Sequence, residues 1–158
     1  MEEKLDMAIL AGGCFWCTEA VFRRLRGVAE TTPGYVEGAE VIQIKFDPEI
    51  ISYEKLLEVF FELHDPTSLN KQGADEGTQY RSAIFYCDDE QKRLAEEAKK
   101  KITGAVTEIA PLTSFSPAED YHKDYYEKNR NAGYCRIVID PKIRKLYYYM
   151  ISRDLPSA

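Results

Sequence analysis

Met7-Ala8-Ile9-Leu10-Ala11-Gly12-Gly13-Cys14-Phe15-Trp16-Cys17-Thr18-Glu19-Ala20-Val21-Phe22 changes its hydrophobic period in mid-course. The apolar run Met7 to Ala11 suits a buried strand, and Ala20 to Leu25 suits an amphipathic helix. A strand thus delivers Cys14 through two glycines to the first turn of a helix. There, unpaired backbone N–H groups and the helix dipole favour a thiolate over a thiol. Cys14 is expected to be an exposed nucleophile, with Trp16, the only tryptophan of the chain, as an aromatic wall beside it.

Less specific readings stand beside that one. A free cysteine is commonly a small buried hydrophobe, and Phe15 and Trp16 are equally suited to packing inward. Cys14 and Cys17 also form a C-x-x-C. A structural zinc site would need a second close pair of ligands, and Cys87, Cys135, His64 and His122 are all isolated. A redox dithiol at a strand-to-helix junction stays open.

Working outward, the first helix is expected from Cys14 to Arg26, stopped at Gly27. Val41 to Phe46 ends in strand-like alternation before Asp47-Pro48. Ser52 can cap a helix whose apolar positions are Leu56, Leu57, Phe60, Phe61 and Leu63. His64 to Gln79 reads as a long polar loop, and long ordered loops tend to carry function. A strand from Arg81 to Cys87, a charged helix from Asp89 to Ile102 and a strand from Val106 to Ala110 follow. Ser116-Pro117-Ala118-Glu119 has the form of a capping box and predicts a helix through Tyr121 to Asn129. Asp140-Pro141 predicts a last short helix through Tyr148. This alternation implies an α/β or α+β protein built on one mixed sheet.

The 158 residues suit one domain that buries about two-thirds of its unfolded surface. A formal net charge of −6 leaves no basic footprint, so nucleic acid is not an expected partner. No apolar run has the length of a membrane span, and Met1-Glu2-Glu3-Lys4 lacks a leader pattern, so a cytoplasmic location is expected. In that compartment cysteines are reduced or catalytic more often than disulfide-bonded. Cys87, inside an expected strand, reads as buried and inert. His122 reads as a surface histidine, Tyr147-Tyr148-Tyr149 as terminal packing, and Lys99 to Lys101 as a solvated face. Glu40, Asp75, Gln79 and Tyr80 are not singled out by spacing alone.

The ordered series Gly13-Cys14-Phe15-Trp16-Cys17-Thr18-Glu19, Gly34-Tyr35, Ala39-Glu40, Phe46-Asp47-Pro48, Ile51-Ser52-Tyr53-Glu54 and His64-Asp65-Pro66 resembles the A-type peptide methionine sulfoxide reductases. So do Gly77-Thr78-Gln79-Tyr80-Arg81-Ser82, Pro117 to His122, Lys128-Asn129 and Gly133-Tyr134-Cys135. The resemblance implies an α+β fold with a ferredoxin-like core, extra helices and a long C-terminal segment. It also implies reduction of the S epimer of methionine sulfoxide, free or in proteins, as repair after oxidative stress. Cys14 would attack the sulfoxide sulfur and become a sulfenic acid. Glu40 would protonate the departing oxygen, Tyr80 would donate a hydrogen bond to it, and Asp75 would support the polar side. Phe15 and Trp16 would hold the substrate methyl, with Gly13 also at the substrate. Cys135 would be the resolving thiol, with Cys17 as second choice; the segment Asn129 to Gly133 before Cys135 has the composition of a mobile turn that would let it swing to Cys14. The disulfide would be reduced by thioredoxin or another dithiol, with no metal or bound cofactor. A monomer is expected.

The family's segment between the Gly-Tyr pair and the glutamate is longer and holds a second tyrosine that bonds the sulfoxide oxygen. Here only Val36-Glu37-Gly38-Ala39 intervenes, and the histidine two positions before the glutamate is Gly38. Tyr35 and Tyr134 are the candidate substitutes. The competing functions are a general dithiol–disulfide oxidoreductase using Cys14 and Cys17, and a non-catalytic redox sensor.

Overall fold

The computed structural model describes residues 4–153; the amino-terminal Met1-Glu2-Glu3, read above for a leader, lies outside them. The chain begins β1 (Asp6–Gly12), α1 (Phe15–Phe22), β2 (Val28–Val36), β3 (Ala39–Phe46) and α2 (Tyr53–Leu63). A small ribbon of β4 (Lys71–Gln72) and β5 (Asp75–Glu76) leads to β6 (Ser82–Tyr86), α3 (Asp89–Lys100) and β7 (Glu108–Pro111). Then come β8 (Ser116–Pro117), α4 (Tyr125–Lys128) and α5 (Asp140–Ser152). The main sheet has the order β7-β6-β1-β3-β2-β8. Its centre, β6-β1-β3-β2, is antiparallel throughout and arises from a βαββαβ succession, the ferredoxin-like core. β7 adds in parallel to β6.

β1 is apolar from Met7 to Ala11 because both faces of the sheet are covered there. Ala8 and Leu10 join Ile42, Ile44 and Ile84 under α1 and α2. Ile9 and Ala11 face the other way, with Val41, Ala83 and Phe85, beneath Leu112 and Phe115. In α2, Leu56, Leu57, Phe60 and Phe61 recur on one buried stripe, each contributing about 1.5–3 kcal/mol. Ser52 caps that helix by accepting from the Lys55 amide at 3.1 Å.

Several local expectations fail, the first because a tertiary contact outweighs a local signal. Ser116-Pro117 is no helix start: it lies along the edge of β2, and the next residue, Ala118, donates its amide to Pro33 O at 2.9 Å. Proline is tolerated on such an edge strand. A single 3-10 turn, Asp120–His122, follows, and Asp124 is left-handed (φ 54°), so only α4 remains of the expected helix. Cys87 falls just beyond β6 and is exposed, because the strand ends at Tyr86. The C-terminal helix starts before Asp140, continuous with a π-helical turn, Cys135–Ile139, so Cys135 sits in helix. Of the terminal tyrosines only Tyr149 is buried; Tyr147 and Tyr148 are exposed. Among the described residues no helix is long and apolar enough to cross a membrane.

Candidate active site

Cys14 occupies the N-cap of α1 with extended backbone, and its carbonyl accepts from the Cys17 and Thr18 amides at 3.1 and 3.3 Å. Gly13 before it has φ +96°, and a Cβ there would lie 2.7 Å from Gln72 Cγ. Glycine is therefore required twice, by conformation and by the approach of Gln72. Gln72 in turn is tied to the Asp65 backbone, accepting from its amide at 2.9 Å, which seats the β4–β5 ribbon beside the cysteine.

The thiol is not the exposed, ionised group that the helix start predicts. Cys14 is only 8% exposed. Its thiol is pushed well above the ordinary range, first by its hydrogen bond with Cys17 and then by burial. Cys17, one turn along the same helix face, is brought down to about 7 by that hydrogen bond, helped by the Lys142 ammonium. Of the two thiols, Cys17 is thus the one favoured to ionise, with the Lys142 charge among the influences that lower it. The helix start acts on both thiols, which titrate as an interacting pair.

Glu40 reaches the same helix end from β3. Its Oε1 accepts from the Phe15 amide at 3.2 Å, and its Oε2 accepts from Gln79 Nε2 at 2.9 Å. The side chain is 7% exposed, and burial holds the carboxyl above its usual range despite those two donors. Tyr80 ends the 3-10 turn Thr78–Tyr80 that supplies Gln79. Its hydroxyl is pushed up by burial, then by the negative charges of Glu40 and Asp75 and by Cys14. Asp75, on β5, accepts a 2.9 Å hydrogen bond from the Tyr134 hydroxyl, which also lies 3.7 Å from Cys17 Sγ. A cleft of about 700 Å3 is lined in part by Cys14, Cys17, Asp75, Tyr134 and Lys142.

The aromatic residues form a fixed wall. Phe15 is buried against Tyr35 and His122, with ring centroids at 5.5 and 5.0 Å. Trp16 stacks flat on Tyr125 at 3.7 Å and meets the Tyr134 ring edge-on. Its indole Nε1 donates to His122 Nδ1 at 3.0 Å, which leaves the imidazole proton on Nε2, facing Glu119 at 3.4 Å. His122 is thus no surface histidine; its side chain is 12% exposed and fixes the indole.

Glu19 was not legible as a site element, although a carboxylate inside the apolar run of α1 is a signal. It is 1% exposed, accepts from the Asp124 amide at 2.7 Å and the Thr31 hydroxyl at 3.0 Å, and so anchors the segment bearing His122 and Tyr125. Gln79, which spacing did not single out, is drawn into the site by its hydrogen bond to Glu40. Cys135 is fully buried in the apolar cluster that holds Cys14, Cys17, Tyr126 and Ile139. Its thiol is pushed up by burial, then by Asp140 and Cys17. Exposed Cys87 lies by Met7 O at the other end of β1 from the site.

The family model for peptide methionine sulfoxide reductase matches residues 6–40 and 37–154. A peptide methionine sulfoxide reductase MsrA of Sulfolobus acidocaldarius is 49% identical over 163 aligned positions, covering 89% of this chain and 93% of the relative. Among solved structures, reduced Mxr1 from Saccharomyces cerevisiae has a TM-score of 0.75 at 33% identity, covering 84% of this chain and 90% of that one. Mxr1 in complex with Trx2 matches with a TM-score of 0.59 at 30% identity, over 77% and 85% of the two chains. A thiol pair, a buried carboxyl and an aromatic wall at one helix end, in a chain matched almost throughout, place this protein in the peptide methionine sulfoxide reductase family.

Proposed function

We propose that this reductase acts on the S epimer of methionine sulfoxide, free or within oxidised proteins, through a sulfenic acid on Cys14. The observation that carries the reading is Glu40: a buried carboxyl, held neutral more readily than usual, aimed at the start of the helix that bears the thiol. Cys17, as the thiolate of the pair, takes the Cys14 proton as Cys14 attacks the sulfoxide sulfur. Glu40 gives its own proton to the sulfoxide oxygen. The S–O bond passes from substrate to enzyme, methionine leaves and Cys14 becomes a sulfenic acid. Tyr80 donates to the oxygen, with Asp75 on the polar side, and Phe15 and Trp16 enclose the methyl. Gly13 leaves the substrate room at the backbone beside Cys14. Tyr134 takes the place of the missing second tyrosine, since its hydroxyl bonds Asp75 and lies 3.7 Å from Cys17 Sγ in the same cleft as Cys14.

Cys135 then condenses with the sulfenic acid, releasing water and leaving a disulfide, after local opening of its π-helical turn, an element often found at functional sites. Thioredoxin or a similar dithiol reduces that disulfide, a reading supported by the likeness to Mxr1, which was solved in complex with Trx2. The lowered Cys17 thiol favours one rival, a general dithiol oxidoreductase, but that leaves Glu40 and Tyr80 without a role.

A single turnover tests the proposal. Fully reduced protein, without added reductant, is given each epimer of a blocked methionine sulfoxide, and methionine and thiols are counted. The expected result is one methionine per protein from the S epimer alone, with two thiols lost. Cys135→Ser should form that methionine yet lose no thiol pair. Continued loss of two thiols in this variant would transfer the resolving role to Cys17. No methionine from either epimer would overturn the mechanism.

A further inference from the structure

The segment between Tyr35 and Glu40 is a closed two-residue hairpin. Tyr35 pairs with Glu40 and Val36 with Ala39, while Glu37 and Gly38 have φ 50° and 76°. Two positive φ values define the turn type that matches strand twist. The family match breaks at this place, residues 37–40, and the alignment with the Sulfolobus relative, 163 positions, is longer than this chain. The hairpin tip therefore stands where relatives carry more chain, and Glu40 is two residues past Gly38.

One side chain ties that tip to the rest of the site. The Arg81 guanidinium donates Nη2 to Glu37 O at 2.8 Å, Nη1 to Thr78 O at 2.9 Å and Nε to Glu108 Oε2 at 3.0 Å. The first contact holds the hairpin bearing Glu40, and the second holds the turn bearing Gln79 and Tyr80. The third fixes the guanidinium to β7. Its side chain is 18% exposed, and a planar five-donor group is suited to three divergent acceptors as an ammonium is not. Thr113 Oγ1 adds a bond to the Glu37 carboxylate at 2.6 Å.

We infer that Arg81 is a positioning residue for the reduction, a staple that holds Glu40 and Tyr80 in register where the longer segment is missing. The inference rests on Glu40 as the proton donor. The groups that act on its carboxyl are Gln79 and Tyr80 from the 3-10 turn, the Phe15 amide at α1, Asp75 on β5, Tyr35 on β2, and His122. Arg81 bonds the elements that carry several of these groups, so it works through position.

The test uses the full chain with Arg81→Met, Arg81→Lys and Glu108→Gln, measuring kcat and KM for the S epimer across pH, with thermal midpoints alongside. Arg81→Met should lower kcat/KM about a hundredfold, the scale of a misplaced catalytic group. Its alkaline limb should shift to lower pH as Glu40 becomes wetter, and Arg81→Lys should recover only part of the loss. Glu108→Gln, which spares both carbonyl contacts, should stay near wild type. In a Glu40→Gln background, Arg81→Met should add little further loss. A lowered thermal midpoint with unchanged kcat and pH profile would make Arg81 merely structural and overturn the inference. Failure of the wild-type protein to form methionine would instead defeat the underlying reading of Glu40.

Discussion

Replacing Glu40 with Gln should inactivate this protein and stabilise it at neutral pH. The wild-type carboxyl accepts from the Phe15 amide and Gln79, but burial, the largest influence, still raises its pKa. A carboxyl with a raised folded pKa contributes stability that is fully present below its unfolded value of about 4.5. That contribution is lost as pH rises through the folded pKa. At pH 7 burial of this carboxyl therefore costs the folded protein stability, because the unfolded chain exposes it ionised to water. An amide of the same shape keeps an oxygen for the Phe15 amide, and Gln79 can turn its own amide oxygen towards the new NH2 group. The expected gain is about 1 kcal/mol, within the range found when strained functional groups are neutralised, and equals about 2–4 °C in thermal midpoint for a chain of this size. Methionine formation should fall by about 10²–10⁴-fold through loss of the general acid. Thermal unfolding by circular dichroism at pH 4 and pH 7, with single-turnover rates, reads both quantities. The stability gain should vanish at pH 4, where the wild-type carboxyl is itself neutral. A variant less stable than wild type at pH 7, or a gain equal at both pH values, would refute the reasoning about burial. An unchanged rate would refute the acid role.

Other perturbations separate the remaining parts of the site. Tyr134→Phe should lower single-turnover kcat about a hundredfold through loss of one oxygen donor, whereas Tyr35→Phe should keep the rate because that ring packs on Phe15; the reverse order would reassign the second hydroxyl. Glu19→Ala leaves the Asp124 amide and Thr31 hydroxyl without their buried acceptor, so urea unfolding should show a loss of about 2–4 kcal/mol, and KM should rise as His122 and Tyr125 loosen around Trp16. Thiolate absorbance should titrate near 7 in the wild type and move to higher pH in Cys14→Ser if the Cys14 hydrogen bond lowers Cys17; an unmoved titration would assign the effect to Lys142 instead.

Much of the core was legible because its signals are local. The apolar run of β1, the stripe of α2 and the Ser52 cap each reflect a period or a turn that a few neighbouring residues impose. The capping-box pattern at Ser116 was equally local and misled, since pairing with the edge of β2 satisfies the same backbone groups from outside the segment. Glu40 could be named only through resemblance, because nothing near it in sequence distinguishes it from a solvated strand end. The structure gives it the Phe15 amide from 25 residues away and Gln79 from 39. His122 was misread for the same reason, as its partner Trp16 is 106 residues distant.

By itself the sequence determined the strand–glycine–helix delivery of Cys14, the α+β class and, through its ordered motifs, the family. Tertiary structure alone decided that Cys14 is buried beside Cys17, that the aromatic wall is tied to His122, that Cys135 sits in helix, and that Arg81 bonds the tip of the shortened hairpin. Period and capping depend on neighbours along the chain. Ionisation and alignment depend on burial and on partners from distant segments, which folding alone brings within hydrogen-bonding reach.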